Sequence, residues 1–495
     1  LFEEPGLATA IRLSLTSALG AALLALAATI AFAAGWSGTA ADRRLRRWLA
    51  PLLGVPHLAT AFGLAFLIAP SGWIARLLSP WATGWSLPPD LITVRDPAGI
   101  ALTLGLAAKE FLYLTLMRYA AESQIPIARL AAAARSLGRA RCQAWCAVVL
   151  PQVWPQLRLP VAAVVAYGVG EVEMALVLGP TTPPPLAPLV LRLARAPDLD
   201  LLPVAAAGAL LQLALTVVAV AALWAATARA IRLRPPEVAL RIAGRAAATA
   251  IVATLIMASL ALVLWSVTRQ WPFPAGLPTF WTPELWTSRA ARLLGPAATT
   301  LGLGLAAVAV ALPLALAVVA RTGDGRIGWL VQLPLLLPPT SFLLGMQVLI
   351  LLAGPTNGWT AVVLAHLPWV GAYVALTMAA PWATIPRRLE DAARSLGARR
   401  ARRLLRVRLP LLARPLAVAA AIGFAVSVGL YLPTLFAGGG RVATLATEAM
   451  ALAAGADRRT IGLLGTAQTL MPALAFLLAL MVPAAPGLSR ARVSP

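Results

Sequence analysis

The chain has 495 residues, 60% of them apolar and only 12% charged, with a formal charge of +23 and a mean hydropathy of +0.82. A soluble domain carries about 25% charged residues, so the composition excludes the soluble classes and points to an all-α membrane protein lodged in a lipid bilayer. The charge does not point to a nucleic acid partner: Lys109 is the sole lysine, and the arginines sit in short loops between apolar runs, as the positive-inside rule expects of cytoplasmic segments.

In chain order, apolar runs approaching the roughly 20 residues that a spanning helix needs predict eleven spans, at 7–35, 49–69, 98–119, 159–179, 201–227, 246–268, 296–320, 329–353, 359–381, 414–436 and 460–483. Each must be helical, because lipid satisfies no backbone polar group. The chain opens Leu1, Phe2, Glu3, Glu4, Pro5, which is neither an initiator Met nor a basic signal-peptide start.

An internal repeat organises these spans. Ala133-Ala134-Arg135-Ser136-Leu137-Gly138 recurs 259 residues later as Ala392-Ala393-Arg394-Ser395-Leu396-Gly397, and Leu150-Pro151 recurs as Leu409-Pro410. Upstream, Pro51-Leu52-Leu53 with Pro56 is echoed by Pro334-Leu335-Leu336 with Pro339. Two pseudo-symmetric lobes are expected, 1–235 and 236–495, with repeated loops at 122–157 and 382–413. Four spans precede the second loop and three the first, so either the first lobe has lost its opening helix or the sequence starts after it; restoring that helix gives two six-helix lobes. Six spans separate the loops, an even number, so both face one side. The second carries Arg387, Arg388, Arg394, Arg399, Arg400, Arg402, Arg403, Arg406 and Arg408, which makes that side the cytoplasm.

Each loop reads as helix, glycine turn, basic helix. Gly138 and Gly397 suit a left-handed turn that other residues resist, so each loop should be a short rigid knob at the membrane surface. The pattern resembles the signature loop of ABC-importer permeases: Glu-Ala-Ala, three residues, Gly, nine residues, then Ile-x-Leu-Pro. The second copy has Asp391-Ala392-Ala393, Gly397 and Val407-Arg408-Leu409-Pro410. The first has Ala132-Ala133-Ala134, Gly138 and Val148-Val149-Leu150-Pro151, without the acid. The resemblance runs over nearly the whole chain, to fused two-lobe permeases of the ferric iron, thiamine and polyamine importer group. The stretch Ala69 to Arg76, with Ser79-Pro80-Trp81 and Gly84-Trp85, looks like its Ynj-type, thiamine-like member. It implies a type I (MetI-like) permease fold and an inner-membrane permease subunit. The loops would couple to two separate ABC ATPase subunits, and a periplasmic binding protein would deliver a small solute.

Other candidate residues lie within the spans, where ionisable groups are costly. Lys109 and Glu110 fall near the middle of 98–119, and Glu171 and Glu173 past the middle of 159–179; the counterparts of the latter pair are Leu430 and Leu432. They either line a pathway or form a Lys109 ion pair that holds the first lobe together. Trp73, Trp81, Trp85, Trp271, Trp281 and Trp286 form an outer aromatic belt or, for some of them, a docking surface. Cys142 and Cys146 lack the further ligands of a zinc site, since His57 and His366 are distant in sequence. No metal and no cofactor is expected. Lys109 stands in no Gly-Lys-Ser/Thr motif, so the chain is not expected to be an enzyme hydrolysing ATP itself. The rival reading is a secondary active transporter, which also uses internal repeats but needs no twin cytoplasmic knobs.

Overall fold

A computed structural model describes residues 1–230, 237–321, 328–354, 358–453, 455 and 457–483. The helices of the first half are α1 Leu7–Trp36, α2 Ala40–Leu53, α3 His57–Ile68, α4 Trp73–Leu78, α5 Ile100–Glu122, α6 Ile127–Ser136, α7 Arg141–Ala144, α8 Leu150–Gly170, α9 Glu173–Leu178, α10 Leu186–Ala194 and α11 Leu201–Ala230. Then come α12 Glu237–Ser266, strands β1 Thr268–Gln270 and β2 Phe280–Trp281, α13 Glu284–Ser288, α14 Ala290–Arg321, α15 Gly328–Leu336, α16 Pro339–Ala353 and α17 Gly358–Ala383. The rest are α18 Arg387–Ser395, α19 Arg400–Arg403, α20 Leu409–Leu411, α21 Ala413–Gly429, α22 Tyr431–Gly438, α23 Leu445–Ala453 and α24 Arg458–Met481. Five-residue π-helices, Trp145–Val149 and Leu404–Arg408, lead into α8 and α20.

Among the described residues nine helices are long and apolar enough to cross a membrane, ten if the bent pair Arg400–Leu411 and Ala413–Gly429 counts as one. The difference from eleven lies in helix breaks that an apolar run does not reveal. The expected span 329–353 is interrupted before Pro339, where α15 gives way to α16, and 414–436 is divided between α21, which ends at Gly429, and α22; the break at Pro56 between α2 and α3 only shifts the span expected at 49–69 to His57–Leu78. Proline lacks an N–H and cannot continue a helix, but it fits a helix start.

The repeat recurs as structure. Adding 259 to the π-helix 145–149 gives 404–408, and adding 259 to α10, 186–194, gives 445–453, the bounds of α23. α12 packs along α1 and α3, and also against α24, so a helix of the second half completes the wall of the first. One buried cluster joins Leu58, Phe62, Met174 and Leu178 of the first half to Ala258, Leu262, Tyr431, Phe436 and Leu464 of the second. Lipid is as apolar as these side chains, so close packing rather than water exclusion holds them together.

Candidate functional site: the paired knobs and the polar seam

Both knobs are built by one device. α6 and α18 end in a Schellman motif: Gly138 N–H donates to Arg135 O at 2.9 Å and Arg139 N–H to Ala134 O at 3.2 Å, while Gly397 N–H donates to Arg394 O and Ala398 N–H to Ala393 O, each at 3.0 Å. Gly138 has φ 77° and Gly397 φ 74°. A Cβ at either position would meet nothing within 4 Å, so backbone conformation and not crowding demands glycine there. The turns present Leu137 and Leu396 at the tips, 82% and 87% exposed. Of the other signature residues, Ala134 and Leu150 are buried, whereas Leu409 and Pro410 are less covered. In the second knob Glu390 pairs with Arg408, whose guanidinium lies 4.4 Å from the centre of the Trp382 ring.

Beneath the first knob lies a buried charge network that sequence reasoning missed. Arg118, at 0% exposure, donates to Asp42 Oδ1 at 3.0 Å and to Glu122 Oε1 at 2.8 Å. Tyr119 Oη donates to Asp42 Oδ1 at 2.6 Å, and Trp145 Nε1 donates to Glu122 Oε1 at 3.3 Å. Asp42 belongs to α2, Arg118 and Glu122 to α5, and Trp145 opens the π-helix, so the network fastens the knob to two bundle helices. The 259-residue offset puts Thr377, Pro381 and Leu404 at the places of Arg118, Glu122 and Trp145. The Arg118–Glu122 spacing was the one available signal, because these two stand four apart on one helical face.

Of the two readings open for the charged residues within the spans, the Lys109 ion pair with Glu171 or Glu173 is not formed. Lys109 Nζ donates to the carbonyls of Leu52, at 3.2 Å, and Val55, at 2.7 Å, and it makes no ion pair with Glu171 or Glu173. The reason is local: α2 stops at Leu53, its last carbonyls have no partner within the helix, and the ammonium satisfies them. Glu171 instead accepts Met174 N–H at 2.7 Å, holding the break between α8 and α9. Glu173 reaches across the molecule and accepts Tyr431 N–H at 3.2 Å, at the start of α22. A carboxylate there is favoured by the unsatisfied N–H groups of a helix N-terminus. Glu110 is buried beside Lys109 on α5.

The same seam carries two further crossings. A Cβ on Gly170, at the end of α8, would stand 2.4 Å from Pro339 Cδ, and one on Gly429, at the end of α21, 3.7 Å from Pro56 Cβ. These are equivalent places, since Gly170 plus 259 is Gly429 and Pro56 plus 283 is Pro339. Thr340 Oγ1 donates to Gln212 Oε1 at 2.5 Å, and Gln212 Nε2 donates to Val169 O at 2.8 Å. On the other side Gln468 Nε2 donates to Val428 O at 3.2 Å, and its Oε1 is buried without a partner.

The remaining expectations are sorted by burial. His366 is a core residue held between Ser427 and Thr434 at 2.8 and 3.0 Å. Trp73 and Trp271 are not belt residues: both are buried, with Nε1 donating to Gly276 O and Ala275 O. Trp81 and Trp281 are exposed. No cluster of three or more metal-ligating side chains occurs among the described residues.

A helical bundle with discontinuous helices meeting between its two halves and a repeated pair of surface knobs is the architecture of a membrane transport protein. Residues 307–485 match the family described as the binding-protein-dependent transport system inner membrane component. The chain is also 31% identical over 493 residues to the Escherichia coli (strain K12) inner membrane ABC transporter permease protein YnjC, across 97% of this chain and 89% of that protein. It belongs to the ABC-transporter permease family, in the Ynj type, and is a multi-pass protein of the inner membrane with the type I permease fold. That membership decides against the secondary-transporter alternative.

Proposed function

We propose that the chain forms the translocation pathway of a binding-protein-dependent ABC importer, with residues 1–235 and 236–495 as its two lobes. A periplasmic binding protein delivers a small solute from outside, and two separate ATPase subunits grip the loops 122–157 and 382–413 from the cytoplasm. The observation that carries this is the recurrence of one knob at one offset, each with a left-handed glycine and an exposed tip leucine that nothing among the described residues covers. An exposed leucine at the tip of a rigid basic knob offers apolar area that a pocket on a partner can bury. Ala132, Ala133, Ala134, Gly138, Leu150 and Pro151 build the first contact, and Asp391, Ala392, Ala393, Gly397, Leu409 and Pro410 the second. The absent acid at Ala132 makes the two contacts unequal.

The pathway runs along the seam. Glu171 and Glu173, with Lys109 and Glu110, make its first-lobe side polar, and the carboxylates suit a cationic or metal-containing solute. The Glu173 contact to Tyr431 N–H must break if one lobe rocks against the other, so it marks a closed state of the seam. Leu137→Asp and Leu396→Asp test the coupling. Each should weaken retention of the ATPase by about thirtyfold, the loss of one buried leucine side chain, with membrane insertion unchanged; full retention in both variants rules the contact out. Glu171→Gln with Glu173→Gln tests the pathway: uptake should fall while the folded protein persists.

A further inference from the structure

At the arginine-rich end of the bundle, Trp36 closes α1 and leans across the first turns of α12. Its Nε1 donates to Arg241 O at 3.0 Å. Arg241 and Arg245, one helical turn apart, hold their guanidinium carbons 5.6 and 4.9 Å from the centre of that indole ring. Stacking of this kind fixes a guanidinium plane while leaving its N–H edge free to donate. No carboxylate of a described side chain lies within 4 Å of either group.

The helix crossing under this pair is tight. A Cβ on Gly244 would stand 2.4 Å from the Ala31 carbonyl carbon, and one on Gly35 2.9 Å from Arg241 Cγ, so α1 and α12 meet backbone to backbone. Beside the crossing opens a groove of about 520 Å³ whose lining includes Trp36, Val238, Arg241, Ile242, Arg245 and Thr249. Val238 and Ile242 are 69% and 66% exposed and stand one turn apart.

The groove therefore combines two oriented guanidinium groups, an indole, the side chain that favours membrane interfaces, and an apolar wall formed by Val238 and Ile242. An inorganic anion would use the arginines and leave the wall uncovered, and an uncharged acyl chain would do the reverse. We propose that this groove binds one anionic phospholipid, with its phosphate on Arg241 and Arg245 and an acyl chain along Val238 and Ile242. Basic pockets between spanning helices on the cytoplasmic side hold such headgroups for the same electrostatic reason. The occupant would bridge α12 to α1 and so clamp the helix that crosses between the halves.

The test uses the full chain purified in detergent, titrated with phosphatidylglycerol, with phosphatidylcholine and with inorganic phosphate. Bound lipid is counted by native mass spectrometry and thermal unfolding is followed in parallel. Phosphatidylglycerol should bind and raise the unfolding temperature, and the other two should not. Arg241→Gln with Arg245→Gln should weaken phosphatidylglycerol binding by about thirtyfold, from two arginine contacts near the surface. Arg44→Gln with Arg47→Gln removes the same charge from exposed positions on α2 and should leave binding intact. Equal loss in both double variants would reduce the effect to diffuse surface charge and overturn the site. An equal response to inorganic phosphate would make it a free-anion site. Unchanged lipid binding in the Arg241 and Arg245 variant, with loss of a copurifying ATPase, would make it a protein contact.

Discussion

Arg118 offers the sharpest test of how the first knob is held. It is fully buried between Asp42 and Glu122, at 3.0 and 2.8 Å, and both carboxylates are themselves nearly buried. Arg118→Met keeps most of the side-chain volume but strands two carboxylates beside each other. Removing one member of a buried ion network costs about 3–5 kcal/mol, because charge is left uncompensated, whereas replacing the whole set by neutral groups is often neutral or stabilising. Arg118→Met should therefore unfold at markedly lower temperature than the wild type in detergent. Adding Asp42→Asn and Glu122→Gln to it should recover most of the loss. Trp145 Nε1 keeps a neutral acceptor in the triple variant, so the knob stays attached but by a weaker hydrogen bond. Transport in proteoliposomes with the ATPase should then remain below wild type even though stability is restored. A single Arg118→Met variant as stable as the wild type would refute the network's structural role. A triple variant no better than the single one would show that charge compensation is not the cause.

Three further outcomes follow from the geometry. Gly138→Val and Gly397→Val force a β-branched residue into the left-handed region at a cost of about 1–3 kcal/mol; transport and stimulated ATPase activity should fall with insertion intact, and full coupling in both variants would exclude a role for the turns. Cys142 is buried and Cys146 only partly so; an impermeant thiol reagent should label Cys146 slowly and only after spheroplasts are permeabilised, and labelling before that step would contradict the topology. Asp457 caps α24, accepting the N–H groups of Arg459 and Thr460 at 3.2 and 3.3 Å. Partial burial pushes its carboxyl up, but hydrogen bonds from Thr460 and the nearby Arg289 outweigh this and hold it below the ordinary value of 3.8. Such a carboxyl stabilises the fold above its unfolded value and loses that contribution as pH falls through its folded one. Asp457→Ala should cost about 1 kcal/mol at neutral pH, and the difference in unfolding temperature between the two proteins should shrink below pH 3.8.

The knobs were legible in the sequence because they depend on local rules: a helix-favouring run, a glycine that only a left-handed turn requires, and the same spacing twice. The helix content was legible for a similar reason, since lipid permits few alternatives to a helix. The partners of the buried charges were not legible. Asp42 and Arg118 are 76 residues apart and Glu173 and Tyr431 are 258 apart, and no periodicity links positions across such distances. Lys109 was open to two readings, one of them an ion pair with the span carboxylates Glu171 or Glu173, whereas its partners are main-chain carbonyls freed by the end of α2. Backbone acceptors carry no residue signature, and only the position of a helix break exposes them. The arginines of α2 and α5 were equally ambiguous, because charge at a helix end reads as solvated whether or not a neighbouring helix covers it.

The reach of Glu173 to Tyr431 has a consequence for why the two halves share one polypeptide. In a pair of identical subunits, any side chain beside the two-fold axis is met by its own copy, so an acidic residue there faces another acid across a few ångströms of low dielectric. Here the positions equivalent to Glu171 and Glu173 are Leu430 and Leu432, and Glu173 caps a helix of the other half instead of opposing its twin. Gene fusion removes the requirement that both faces of the axis carry the same residue. It lets one face hold charge while the other stays greasy, an arrangement that an exact dimer has no means of encoding.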